Sequence, residues 1–340
     1  MMYLQKKILK KHIKEGIWIR LIKRGRNSVD ILYTFLNEHT FRTVILGCTL
    51  LGSISGIIGC FAVLRKQSLL GDAVSHASLP GVCIAFLITG SKNIEILLVG
   101  ALSAGVVCIA VIQIIQNYTR IKFDSALAFV LSIFFGIGLV LMSHLNKLPG
   151  ANKSGLNRFI FGQASTFLER DIGIIFFIGI ILLIIIILFW KEFKIVSFDI
   201  DFSMTLGYPA KIIGLIISCL IVITVIIGIQ MAGVVLISAM VISPAVAARQ
   251  WTDRLSFMII LAGIFGGISG FMGALISIDH SDIPTGPVIV IFISIIAIFS
   301  LMFSKKRGII FKVILKRRRK KSLIEELKGH KIKLRNIERE

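Results

Sequence analysis

The sequence predicts an all-α fold, a polytopic integral membrane bundle of eight to nine transmembrane helices, and three observations carry that prediction. The 340 residues are 56% hydrophobic and 17% charged, with a mean hydropathy of +0.89, which is outside the range of soluble globular domains. Apolar runs long enough to cross about 30 Å of hydrocarbon, roughly 20 helical residues each, recur along the chain. The net charge of +21 is concentrated at the two ends, with nine basic and three acidic residues in 1–40 and fifteen and four in 304–340. Basic groups that flank an apolar body fit anionic lipid headgroups, and no recognition fold for nucleic acid accompanies them. Only 6 prolines against 30 glycines argue against collagen-like or disordered chains.

Residues 1–40 form a basic extension. It lacks a short apolar core followed by a small-residue cleavage site, so no cleaved signal is expected. Residues 41–303 form the transmembrane domain, with candidate spans at 41–64, 71–90, 94–116, 124–145, 172–190, 211–230, 232–250, 255–278 and 285–303. Small residues at spacing four (Gly52 and Gly56, Gly263 and Gly267, Gly266 and Gly270) predict helices whose backbones approach closely. Ser243-Pro244 interrupts the seventh run, reading either as a kink that shapes a pathway or as helix packing. Longer interruptions fall at 65–70, 146–171 and 191–210. The five cysteines all lie in apolar runs without a CxxC pair and read as small reduced core residues. Residues 304–340 are a basic cytoplasmic tail suited to membrane lipid.

The Lys/Arg bias of short loops places Arg120 with Lys122, Lys191 with Lys194, Arg249 with Arg254 and the tail on the cytoplasmic side. The acidic turn Asp279 to Asp282 then faces outside. Nine crossings leave the basic N-terminus outside too, against the same rule, unless one early segment does not span or residues 28–40 supply an extra element.

Three segments carry candidate chemistry. In Leu70-Gly71-Asp72-Ala73-Val74-Ser75-His76-Ala77, Asp72 and His76 are four apart and share one helix face. Pro80 has no amide to offer the carbonyl of His76, so a carboxylate, an imidazole and a spare carbonyl converge on a site suited to Mn²⁺ or Zn²⁺. The bland alternative is an Asp–His pair that holds helices together. Cys83 lies farther along the same stripe and reads as packing. The interruption 191–209 is too polar to span and has an apolar face, so it predicts a short helix, stopped by Gly207 and Pro209, on a partner protein or in the headgroups. His280 and Asp282 sit at an outer helix boundary, where a capped helix start competes with metal capture. No Gly-Lys dipeptide occurs, so a Walker A loop is missing and the chain is not expected to hydrolyse ATP. An intramembrane enzyme would need a nucleophile with a base, and Ser75 cannot share a helix face with the adjacent His76.

These motifs together resemble the permease subunits of metal-type ABC importers, over nearly all of residues 30–303. The carriers are Gly56-Ile57-Ile58-Gly59 leading into Val63-Leu64-Arg65, Leu70 to Ala77 with Leu79-Pro80-Gly81, and Phe161-Gly162-Gln163. Further carriers are the Phe198-Asp199 to Leu206-Gly207 loop, Gly233 to Pro244, and Asp282-Ile283-Pro284-Thr285-Gly286. The resemblance implies a multi-pass protein of the inner or plasma membrane that imports Mn²⁺, Zn²⁺ or Fe²⁺ as cargo, without a covalent cofactor and without enzymatic chemistry. It implies separate ATP-binding cassette ATPase subunits docked on the coupling loop 191–210, with Asp199, Asp201, Thr205 and Gly207 as its coupling residues. It also implies a second permease copy, an extracellular metal-binding lipoprotein, and Asp72 with His76 facing a central pathway. A permease for metal chelates, of siderophore or cobalamin type, is the rival within transport; a wide pathway without ligand side chains would suit it better.

Overall fold

The computed structural model describes residues 39–91, 93–145, 147, 169–234, 236–279, 284–304, 308–311 and 319. The terminal extensions apart from these residues, the Phe161-Gly162-Gln163 motif, His280 and Asp282 lie outside the described residues. Contacts divide the chain into residues 1–43 and 44–340; the helical bundle lies within the second unit, from Val44 onward.

Every regular element among the described residues is helical: α1 (His39–Leu64), α2 (Leu70–Thr89), α3 (Ile94–Tyr118), α4 (Phe123–Leu145), α5 (Glu169–Leu188), α6 (Trp190–Phe198), α7 (Ile200–Thr205), α8 (Ala210–Ala232), α9 (Ile237–Trp251), α10 (Leu255–Asp279) and α11 (Thr285–Phe303). Eight of them are long and apolar enough to cross a membrane. In lipid a helix satisfies its own backbone groups, which is why uninterrupted apolar runs fold this way.

The seventh run departs from expectation. Its composition predicts a span from 232, but its helix begins at Ile237 and has 15 residues, about 22 Å of rise. The cause is Gly233, which closes α8 with φ 81°, a conformation open to glycine, and donates its N–H to Ile229 O. Ala232 abuts Gly286 at the start of α11, whereas Gln250 near the end of α9 accepts the hydroxyl of Ser304 just past the end of α11. The chain therefore passes from one end of the bundle to the other between Ala232 and Gln250, with only its later part helical. Val234 is buried, so the irregular backbone is covered by protein, as the hydrocarbon requires.

The small residues at spacing four are where α1 meets α10. A Cβ on Gly52 would overlap the carbonyl oxygen of Gly266, one on Gly56 that of Ala262, and one on Gly270 that of Cys48. Two backbones touch there, and van der Waals contact replaces a hydrophobic drive that lipid does not provide. All five cysteines are free, and Cys48, Cys60, Cys83 and Cys108 are buried.

Candidate functional site

Helix α2 runs through Pro80 without a break, and Leu70, Gly71, Ala73, Val74 and Ala77 are all buried. Three neighbours fix its depth. A Cβ on Gly105, near the midpoint of α3, would touch Val74 of α2 and Val222, near the midpoint of α8. His76 meets Phe135, near the midpoint of α4. The turn from Asp72 to His76 thus lies at mid-depth in the bundle, although it opens α2. It does so because the connection 65–69 folds back into the protein: Lys66 adopts φ 58°, and Gln67 N–H donates to Ala62 O at 2.8 Å.

His76 Nε2 stands 3.6 Å from Asp72 Oδ1, with the imidazole mostly covered and the carboxylate 37% exposed. That distance is too long for a hydrogen bond. It is close to the separation of about 3.4 Å between two ligand atoms on a tetrahedral ion with bonds near 2.1 Å. His76 Nδ1 is buried without a hydrogen-bond partner, and the ring of Phe135 stands edge-on to the imidazole, centroids 4.7 Å apart at 73°. Pro80 denies His76 O its usual amide donor, so the carbonyl expected from the sequence is available at this level. Among the described residues no group of three His, Cys, Asp or Glu forms. The arrangement offers two side chains and one carbonyl, an incomplete shell that cargo or a second chain would complete.

The segment 191–209 also departs from the single short helix that the sequence predicts. It forms two, because Asp199 turns extended (φ −151°, ψ 106°) and caps α7, its carboxylate accepting Phe202 N–H at 2.9 Å. Helix α6 buries Phe193, Val196 and Ser197, one stripe at helical spacing. Helix α7 leaves Asp201 and Thr205 exposed. Thr205 Oγ1 donates back to Phe202 O at 2.8 Å, and Gly207 takes φ 82° to leave the helix. Phe198, Ile200, Phe202, Met204 and Leu206 are about half exposed.

Three further residues receive no site role from the sequence. Arg65 donates through Nη1 to Gly214 O at 2.7 Å; burial pushes its guanidinium down to about 10, so it stays charged at neutral pH. Arg249, which from sequence bears only on topology, donates to Val63 O at 3.3 Å. Phe135 has no signal beyond being one apolar residue among many in its run.

The family model described as the ABC 3 transport family matches residues 37–304. The chain is 45% identical over 295 residues to the zinc transport system membrane protein TroC of Treponema pallidum (strain Nichols), covering 87% of this chain and 98% of that protein. It is 43% identical over 285 residues to the manganese transport system membrane protein MntC of Bacillus subtilis (strain 168), covering 84% of this chain and 66% of that protein. Among solved structures, PsaBC from Streptococcus pneumoniae in complex with Fab superposes with a TM-score of 0.72 at 26% identity, over 82% of this chain and 97% of that one. An inward-facing conformation of a metal-chelate type ABC transporter shares the fold at a TM-score of 0.61 and 12% identity, over 76% of this chain and 84% of that one.

Proposed function

Because this chain belongs to the ABC 3 transport family, and is thus a multi-pass permease of the cell membrane and not an enzyme, we propose that its cargo is a divalent transition metal ion, Zn²⁺, Mn²⁺ or Fe²⁺. The observation that carries the reading is the pair Asp72 and His76, two ionisable side chains at mid-depth in an apolar bundle, 3.6 Å apart and not hydrogen-bonded to each other. A structural pair would close that gap. A site that must release its cargo gains from staying incomplete, since a full protein shell would hold the ion too tightly to pass it on.

In this reading the ion arrives from an extracellular metal-binding lipoprotein and meets Asp72 and His76 on a pathway shared with a second permease copy. Separate ATPase subunits dock on the loop 191–210, where the exposed apolar side chains of Phe198, Ile200, Phe202, Met204 and Leu206 offer a surface that gains by being covered. The Lys/Arg bias puts that loop and the basic tail in the cytoplasm, the tail beside anionic lipid. His280 and Asp282 stay candidates for an outer entry site. Imidazole with carboxylate accepts all three metals, so selectivity rests on geometry.

The test is uptake of radiolabelled Zn²⁺ and Mn²⁺ in cells whose only metal importer contains Asp72→Ala or His76→Ala. Loss of uptake with an unchanged amount of assembled complex supports the ligand role. Normal uptake in both variants refutes it, and loss of assembly favours a structural pair.

A further inference from the structure

The last turn of α1 is a junction. Within residues 60–65 it contacts four other elements: Cys60 Sγ points to Met258 O of α10 at 3.7 Å, Phe61 packs on Phe193 of α6, Val63 O accepts Arg249 of α9, and Arg65 reaches Gly214 of α8. Only one of these partners belongs to the coupling segment. Phe61 and Phe193 are among the largest fully buried side chains of the protein, and their rings meet edge-on with centroids 5.7 Å apart at 76°. Phe189, the N-cap of α6 one turn earlier, stacks on Phe193 at 5.9 Å. Phe193 therefore touches both its own helix's start and the end of α1.

Five backbone hydrogen bonds tie the chain between Phe61 and Ala73. Arg65 N–H donates to Phe61 O at 3.0 Å, Lys66 N–H to Val63 O at 3.2 Å and Gln67 N–H to Ala62 O at 2.8 Å. Leu70 N–H then donates to Gln67 O at 3.0 Å and Ala73 N–H to Leu69 O at 3.0 Å, which starts the helix turn that holds Asp72 and His76. Arg65 pins the middle of this elbow to α8. A push delivered at Phe61 has a bonded route through these contacts into the elbow and the start of α2.

We propose that Phe61 and Phe193 are positioning residues that carry displacement of the coupling helix α6 into the elbow 65–69 and so move Asp72 and His76 during the transport cycle. The inference rests on the permease reading above. Aromatic rings suit the task because they hold their shape about two torsions and fill the joint without slack.

The experiment uses the complete transporter, permease with ATPase subunits and metal-loaded binding protein, in proteoliposomes, reading ATP hydrolysis and uptake of Zn²⁺ and Mn²⁺ together. Phe193→Ala and Phe61→Ala are expected to leave hydrolysis within about twofold while uptake per ATP falls about tenfold, the size of effect that residues along a coupling route produce. Phe193→Leu and Phe61→Leu, which keep most of the volume, should recover most of that ratio, and they carry the same readout if the alanine variants do not assemble. The double alanine variant should be no worse than the poorer single one, because the two rings act as one part. Unchanged uptake per ATP in assembled variants, or losses that simply add, would overturn the link and leave the permease reading standing. Failure of the unmutated complex to couple hydrolysis to uptake would overturn both.

Discussion

The imidazole of His76 stands edge-on to the ring of Phe135, 4.7 Å between centroids, while its Nε2 faces Asp72 Oδ1 at 3.6 Å. One side of the histidine is thus fixed by packing, and in the proposed reading the other meets the ion. The helices can meet at this point because Gly138, one turn beyond Phe135, faces Leu79 and Pro80, where a Cβ would come within 3.0 Å of Pro80 Cδ. The pair is aimed by α4, although both side chains come from α2.

Removing the aim without touching the ligands should weaken capture and spare turnover. Phe135→Ala is expected to raise the metal concentration for half-maximal uptake about tenfold, the lower range for losing a residue that orients a ligand. The maximal rate should stay within about twofold. Phe135→Leu, which still fills the space beside the ring, should give a smaller shift. Uptake kinetics over a range of Zn²⁺ and Mn²⁺ concentrations checks this, and an unchanged half-saturation point would mean that the ring only fills space.

How much of this is legible in the sequence depends on range. The Asp72 and His76 pair is legible because four residues is a local spacing and a helix puts it on one face. That α1 and α10 each pack closely against a neighbour is legible from their glycines for a similar reason, but that they meet each other is not. Phe135 is not, because nothing in one apolar run tells which side chain faces which helix. The gap at 233–236 is hidden by composition: Val234 and Leu236 keep the run apolar through the break, and hydropathy does not register a backbone turn at Gly233. The split of the coupling segment has a faint signal in Asp199, a good N-cap residue three before Phe202, but Phe198 and Ile200 on either side read equally well as one helix.

The α1 and α10 contact gives a prediction of sign. Gly52→Ala puts a methyl group where the Gly266 carbonyl already is, and backbone cannot rotate away, so the cost should be about 1–3 kcal/mol. At Gly173 in α5 a Cβ meets nothing within 4 Å. Gly173→Ala should be neutral or stabilising by up to about 1 kcal/mol, because alanine is the better helix former. Melting in detergent should move the two variants in opposite directions, and equal shifts would show that the glycines of α1 are not a close-contact seam.

The coupling loop gives the last prediction, which joins topology to function. Asp201 and Thr205 are exposed on α7, and α7 keeps its direction because Asp199 caps it at 2.9 Å. Asp201→Cys and Thr205→Cys should form crosslinks to a co-expressed ATPase subunit and react with an impermeant thiol reagent only in inverted vesicles. Native thiols add little background, since four of the five are buried and Cys219 is partly so. Adding Asp199→Ala removes the cap, at about 1 kcal/mol, and should lower the crosslink yield; Asp199→Ser, which restores an acceptor at that position, should recover it. Labelling from outside intact cells would reverse the orientation assigned by the basic loops and take the ATPase off this surface. A yield indifferent to Asp199 would show instead that the subunit grips the apolar side chains of the loop whatever their backbone does.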